Sequence, residues 1–191
     1  ASRLCVETMV QSLEKSAHKT PVSLFEEAVT AANKAVFEES ASHVEYEGMG
    51  TTVVACTLQE NTLYIANIGD SRLYLIRDGI EQITDDHSLV EEMVKQGNIT
   101  ESEARIHPQK NIITRALGIN EEVQADFFEI DVEQGDVIML CSDGLSNMIE
   151  DEDMEYIVKN SDTLQTAAES LVARANENGG NDNITVVLAE V

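Results

Sequence analysis

The chain has 191 residues, 42% of them hydrophobic, with 36 acidic side chains against 12 Lys and Arg and a formal net charge of −24. That length suits one domain with a sizeable core and is short for two. The charge weighs against nucleic acid and against anionic membrane surfaces, which both need a basic face, and it suits hard cations, basic partners or simple solubility. Leu4, Val6, Met9, Val10 and Leu13 recur at helical spacing and predict a helix from about Ser2 to Ala17, ended by His18, Lys19 and Thr20. Thr20-Pro21 opens a second helix, with Leu24, Phe25, Ala28, Val29, Ala32, Ala35 and Val36 along one face. Ser40 to Gly50 reads as a loop.

Four strands are expected next: Thr51–Leu58, Leu63–Ile68, Arg72–Ile76 and Ile80–Ile83. Glu60-Asn61, Gly69-Asp70-Ser71 and Asp78-Gly79 break them, which predicts an antiparallel meander with one face covered by helices. Asp85 to Ser88 starts a helix with Leu89, Val90, Met93 and Val94 inward and Gly97 at its end, and His87 is expected to shape that start. Glu101–Arg105 is a weak helical turn, and Ile106–Lys110 is a loop around Pro108. Ile112–Leu117 is an apolar stretch closed by Gly118.

Val123–Val132 reads as a strand, and Gly135-Asp136 turns into Val137–Leu140, an apolar run short enough for a fully buried strand. Ser142-Asp143-Gly144 interrupts it before Leu145, Met148 and Ile149 resume at helical spacing. Helices over Asp151–Val158 and Thr163–Ala175, a polar turn over Asn176–Asn183 and a strand over Ile184–Val191 complete the chain. The order predicts a layered α+β sandwich, two stacked antiparallel sheets with helices outside each.

No apolar run reaches membrane-spanning length. The start, ASRLCVETMVQSL, has neither a signal-peptide layout nor an initiating Met, so a truncated or processed chain is expected. Cys5, Cys56 and Cys141 sit in apolar patterns with no CxxC pair, as buried thiols do in a reducing compartment, here read as the cytoplasm.

Three carboxylates share one local design: Asp70 in NIGDSR, Asp143 in CSDG and Asp182 in GGNDN, each near a strand end and flanked by Gly or Asn. Singly, each reads as a turn residue, and Asp143 also as a helix N-cap. Edge positions from different strands can instead converge on one cleft, where carboxylates repel unless a cation lies between them. Ligation by oxygen alone selects Mg²⁺ or Mn²⁺ over Zn²⁺.

Six stretches together resemble the metal-dependent protein phosphatases, the type 2C Ser/Thr family, and most of all its short bacterial members. They are GMGTTVV (48–54), NIGDSRLYLIRDG (67–79), TDDHSLV (84–90), ITRALG (113–118), VIMLCSDGL (137–145) and GGNDNITVV (179–187), in the family's order. The resemblance implies a four-layer αββα sandwich forming one phosphatase-like domain over 1–191, with a flap at about 91–112. It implies a binuclear Mn²⁺ or Mg²⁺ site with Asp143 and Asp182 as ligands, and a third, weaker metal on Asp70 and Asp143. The family's opening strands, with a phosphate-holding Arg and a metal-bridging Asp, have no counterpart here, so an N-terminally incomplete member is expected. Arg3, Arg72 and Arg115 are the nearest candidates for phosphate contact, with ion pairing as the plainer reading. His107 in the flap is a candidate proton donor to a leaving alkoxide, with a loop histidine as the plainer reading.

The implied function is hydrolysis of phosphoserine and phosphothreonine by a metal-activated water, on phosphoproteins made by a Ser/Thr kinase, by a monomer acting in signal transduction. The alternative is a catalytically impaired or pseudo-phosphatase module that binds a partner. An acidic metal-buffering domain is a further alternative, but no calcium-loop pattern such as DxDxDG occurs.

Overall fold

The computed structural model describes residues 1–15 and 20–191. Within them it has two sheets, β1-β2-β5 and β4-β3-β6-β7, built from β1 (Val53–Gln59), β2 (Thr62–Ile68), β3 (Arg72–Ile76), β4 (Ile80–Gln82), β5 (Asp126–Asp131), β6 (Val137–Cys141) and β7 (Val186–Glu190). The pairs β1–β2, β3–β4, β3–β6 and β6–β7 are antiparallel. The chain divides into two compact units, residues 1–69 with 87–130, and residues 70–86 with 131–191.

The first unit joins β1-β2-β5 to a helical hairpin, α1 (Ser2–Lys15) and α2 (Pro21–Ser42). Thr20 caps α2, its hydroxyl accepting the Ser23 N–H, and Pro21 supplies the fixed φ of a first helical turn. Ala28, Val29, Ala32 and Val36 pack with Cys5, Met9 and Ile68 in one apolar core. Val6 and Val10, expected on the buried stripe of α1, are 61% and 47% exposed. The seam runs instead through Cys5 and Met9, one position away and so about 100° round the helix. The expected continuation of α1 to Ala17, and its break at His18 and Lys19, lie outside the described residues. The expected loop from Ser40 is shorter, since α2 runs to Ser42 and a 3₁₀ turn follows at Val44–Tyr46.

Asn33 on α2 is buried and fully used. Its Oδ1 accepts the Gly118 N–H at 2.7 Å, and its Nδ2 donates to the Asn120 and Glu121 carbonyls. That pins the loop whose Leu117 bridges Thr51. The same unit contains α3 (Leu89–Lys95) and α4 (Glu101–Arg105), an excursion closed at its base by a Ser88–Ile113 bridge. Ser88 caps α3, and Thr100 with Glu103 forms a capping box on α4.

The second unit joins β4-β3-β6-β7 to α5 (Asp143–Ser146), α6 (Asp151–Lys159) and α7 (Leu164–Glu177). Tyr74, Met139, Cys141, Leu145, Met154, Ala167 and Leu171 form its core. Arg77 clamps the buried Asp136 carboxylate, which also accepts the Glu133 N–H, so the turn into β6 is held at its acidic end.

Each unit therefore supplies an antiparallel sheet with its own helix pair, the layers expected of the sandwich. The single meander expected over 51–83 is corrected. It breaks after Ile68: β2 lies between β1 and β5, whereas β3 lies between β4 and β6. Gly69 makes the break, with φ +103° and no room for a Cβ, which would fall 2.3 Å from Thr52 Cγ2.

Candidate metal centre

Asp70, Asp143 and Asp182 all fall in the second unit. Asp143 is not an N-cap. It is the first residue of α5, and Ser142 takes the cap position with φ −79° and ψ 164°. The Ser142 hydroxyl makes no cap bond. It donates to the Asn183 carbonyl at 2.9 Å and accepts the Thr185 N–H at 3.0 Å, while the Ser142 N–H donates to the Thr185 carbonyl at 3.1 Å. The β6–β7 ladder, which otherwise ends at Cys141–Val186, thus gains one further rung. Gly144 allows this approach: a Cβ there would lie 2.4 Å from the Asn183 carbonyl oxygen.

The electrostatics centre on Asp143. Burial pushes its carboxyl up, and the Asp182 charge adds to that, followed by Asp86. The Asp70 carboxyl is pushed up to about 6, first by burial, then by Asp143 and Asp86. Asp143 is therefore coupled to both other candidates. Asp182 is exposed, and its Oδ1 accepts the Asn183 N–H at 2.7 Å. Among the described residues no three His, Cys, Asp or Glu side chains are grouped to hold one metal ion together. The carboxylates interact pairwise through their charge, Asp143 with Asp182 and Asp70 with Asp143. Such pairs fit Mg²⁺ or Mn²⁺, which are held by one or two carboxylates and keep several waters.

Asp86, read from sequence only as part of a helix start, belongs to this charged cluster. Both its oxygens take Arg72, with Nε at 2.9 and 3.1 Å and Nη2 at 2.8 Å. Arg72 Nη1 donates to the Tyr74 hydroxyl, which in turn donates to Asp151. The pattern TDDH was the available signal, but nothing local shows that its second Asp receives an Arg fourteen residues earlier.

The other candidates are placed as follows. Arg72 is occupied by Asp86, Arg115 by Asp126 at 2.6 Å, and Arg3 by Glu7 at 2.8 Å on the exposed side of α1. Ion pairing describes all three. His87 does not cap α3. It is buried, with Nδ1 accepting the Gly69 N–H and Nε2 facing Asp126. His107 lies in the first unit, half-buried, its Nδ1 accepting the Gln109 N–H at 3.2 Å. The cysteines are free, with Cys5 and Cys141 buried; burial pushes their thiols up to about 11 and about 12.

A family model described as Protein phosphatase 2C matches residues 1–189. The chain belongs to the protein phosphatase 2C family. Among relatives, a serine/threonine phosphatase stp of Listeria monocytogenes serotype 4b is 42% identical over 166 residues. The match takes in 86% of this chain and 66% of that relative, so the chain spans just under two thirds of its length. Among solved structures, the serine/threonine phosphatase Stp1 of Staphylococcus aureus matches with a TM-score of 0.91 and 32% identity, over 100% of this chain and 78% of that one. The catalytic domain of the phosphatase PstP, solved in complex with two manganese ions, matches with a TM-score of 0.88 and 34% identity, over 99% of this chain and 79% of that one. The α+β architecture of two antiparallel sheets is thus that of the protein phosphatase 2C structures.

Proposed function

We propose that this protein is a metal-dependent serine/threonine phosphatase that hydrolyses phosphoserine and phosphothreonine in other proteins. The observation behind the proposal is the coupling of Asp143 to both Asp182 and Asp70, from three separate turns of one unit. Family membership supplies the reaction class, and the manganese ions of the PstP structure support Mn²⁺ or Mg²⁺ as cofactor.

Asp143 and Asp182 are the proposed ligands of a binuclear site, with Asp70 and Asp143 at a third, weaker one. The bound metals supply a water of lowered pKa and neutralise charge on the transferring phosphoryl group. The protein's own part is to hold carboxylates that repel one another in an open, metal-ready arrangement. Arg72 keeps Asp86 occupied, so that this fourth carboxylate does not compete for the cation. Residues 91–112 are the proposed flap, and His107 within them is the candidate proton donor. The family match runs through both compact units, which supports reading 1–191 as one phosphatase-like domain. Substrates are proteins phosphorylated by a Ser/Thr kinase, and the protein acts as a cytoplasmic monomer in signal transduction. Among the described residues no helix is long and apolar enough to cross a membrane.

The test is Mn²⁺-dependent release of phosphate from a phosphothreonine peptide, with Asp143→Asn as control. Loss of activity in the variant and in excess chelator is expected, and undiminished hydrolysis in either overturns the assignment. A second reading, a binding module with impaired catalysis, is favoured by the lack of a three-carboxylate cluster among the described residues. Calorimetry of Mn²⁺ with this chain separates the two. Two tight sites sink the module, and one weak site or none supports it.

A further inference from the structure

Ser142 occupies a helix cap position without capping. A serine there ordinarily accepts an N–H from the first helical turn. Here its donor goes to the Asn183 carbonyl and its acceptor takes the Thr185 N–H. The hydroxyl stands where the next main-chain carbonyl of β6 would otherwise take a ladder bond. The main chain is thereby free to turn into α5 at Asp143 while β7 stays engaged. Asn183 follows Asp182, and Ser142 precedes Asp143. The two hydroxyl bonds therefore fix the backbones of both aspartates against each other. Gly144 approaches the Asn183 carbonyl closely at the same junction, where a Cβ would lie 2.4 Å from the oxygen. The other end of the Asn176–Asn183 turn is anchored separately, by Asn178 Nδ2 on the Met148 carbonyl at 2.7 Å.

We infer that Ser142 is a positioning residue that sets the separation of Asp143 and Asp182, and so tunes the affinity of the divalent cation between them. The inference rests on the metal-site reading above and adds to it a residue that touches neither metal nor substrate. The hydroxyl bonds lie at the surface. Their loss costs the fold little, because water can replace them, but it releases the Asp182 turn. Outer partners of this kind typically change metal affinity by about 10- to 100-fold.

The test compares Ser142→Ala with Ser142→Thr, which keeps the hydroxyl and suits extended backbone. Three readouts are taken: Mn²⁺ titration calorimetry, amide hydrogen exchange at Thr185 and thermal melting. Ser142→Ala is expected to weaken Mn²⁺ binding about tenfold or more and to expose the Thr185 amide to exchange. Ser142→Thr should restore both, with little change in melting for either variant. Parent-like Mn²⁺ affinity in Ser142→Ala overturns the inference, as does equal weakening in Ser142→Thr. If the parent chain takes up no Mn²⁺, the metal-site reading falls, and Ser142 is then judged on the amide signals of Asp182 to Thr185. Signals displaced in Ser142→Ala and restored in Ser142→Thr uphold its positioning role; signals unmoved in Ser142→Ala overturn it.

Discussion

His87 accepts the Gly69 N–H on Nδ1 at 2.9 Å, which fixes its proton on Nε2, 3.0 Å from Asp126. Its main chain is as fully used, donating to the Gly69 carbonyl and accepting the Thr114 N–H. One buried residue, through its side chain and main chain together, thus bolts the end of β2, the start of β5 and the base of the α3–α4 excursion within the first unit. His87→Ala leaves the Gly69 donor without its acceptor and opens a void. A loss of about 2–4 kcal/mol is expected, read from the urea midpoint. His87→Asn should lose less, since it keeps an acceptor close to the Nδ1 position.

The metal-free protein should respond to pH through Asp70. Its carboxyl, pushed up to about 6, binds a proton in the fold at pH values where the unfolded chain has released it. The folded state then holds more protons, so this group's contribution to stability falls as pH rises from about 4 to about 6. Asp143 acts in the same direction. Asp126 opposes both. Burial alone would raise its carboxyl, but hydrogen bonds from His87 and Arg115 outweigh that and lower it, so its contribution is lost as pH falls. Comparing Asp70→Asn with the parent isolates the first term. The parent's stability, relative to the variant, should decline with rising pH across that window. A difference that stays flat from pH 4 to 7 refutes the coupling.

Arg72→Met removes the partner of Asp86 and one bond to the buried Tyr74. A half-buried carboxylate left beside Asp70 and Asp143 is costly, and a loss of about 3 kcal/mol is expected. Adding Asp86→Leu should recover much of it, because the unpaired charge is then gone. Chemical denaturation of the single and double variants measures both steps.

Gly144→Ala places a methyl group 2.4 Å from the Asn183 carbonyl oxygen, a backbone atom that can yield only by moving the turn. Overpacking of this kind costs about 1–3 kcal/mol. The Asp182 turn should shift and weaken Mn²⁺ binding, read by calorimetry, more than the fold is weakened. Stability that drops by the same free energy as metal affinity would mean that Gly144 is only a packing position.

Much of this molecule is legible in its letters. The period of the α2 face, the apolar run of β6 and the Thr20-Pro21 start were each plain, because local burial and capping decide them. Sheet membership was not. β2 and β3 follow one another across three residues yet lie in different sheets, because their partners, β5 and β6, come some sixty residues later. The Val6 and Val10 error has a different origin. A helix with apolar side chains on two sides, Val6 and Val10 on one and Cys5 and Met9 on the other, gives no local sign of which side meets its neighbour. At the candidate site, the aspartates stood out through their Gly and Asn neighbours. Ser142 and Asp86 did not, since each draws its meaning from a distant partner, the Asn183–Thr185 segment and Arg72 respectively.

The raised thiols have a chemical corollary. A sulfur reacts with peroxide or iodoacetamide as its thiolate, and a thiol titrating near 12 exposes almost none of that form at neutral pH. Cys141, two residues before Asp143, is thereby shielded from the oxidants that silence phosphatases built on a catalytic sulfur. Under the proposed function the chemistry rests on bound metal and on no sulfur, so withdrawing the cation, and not oxidising a thiol, is what would stop it.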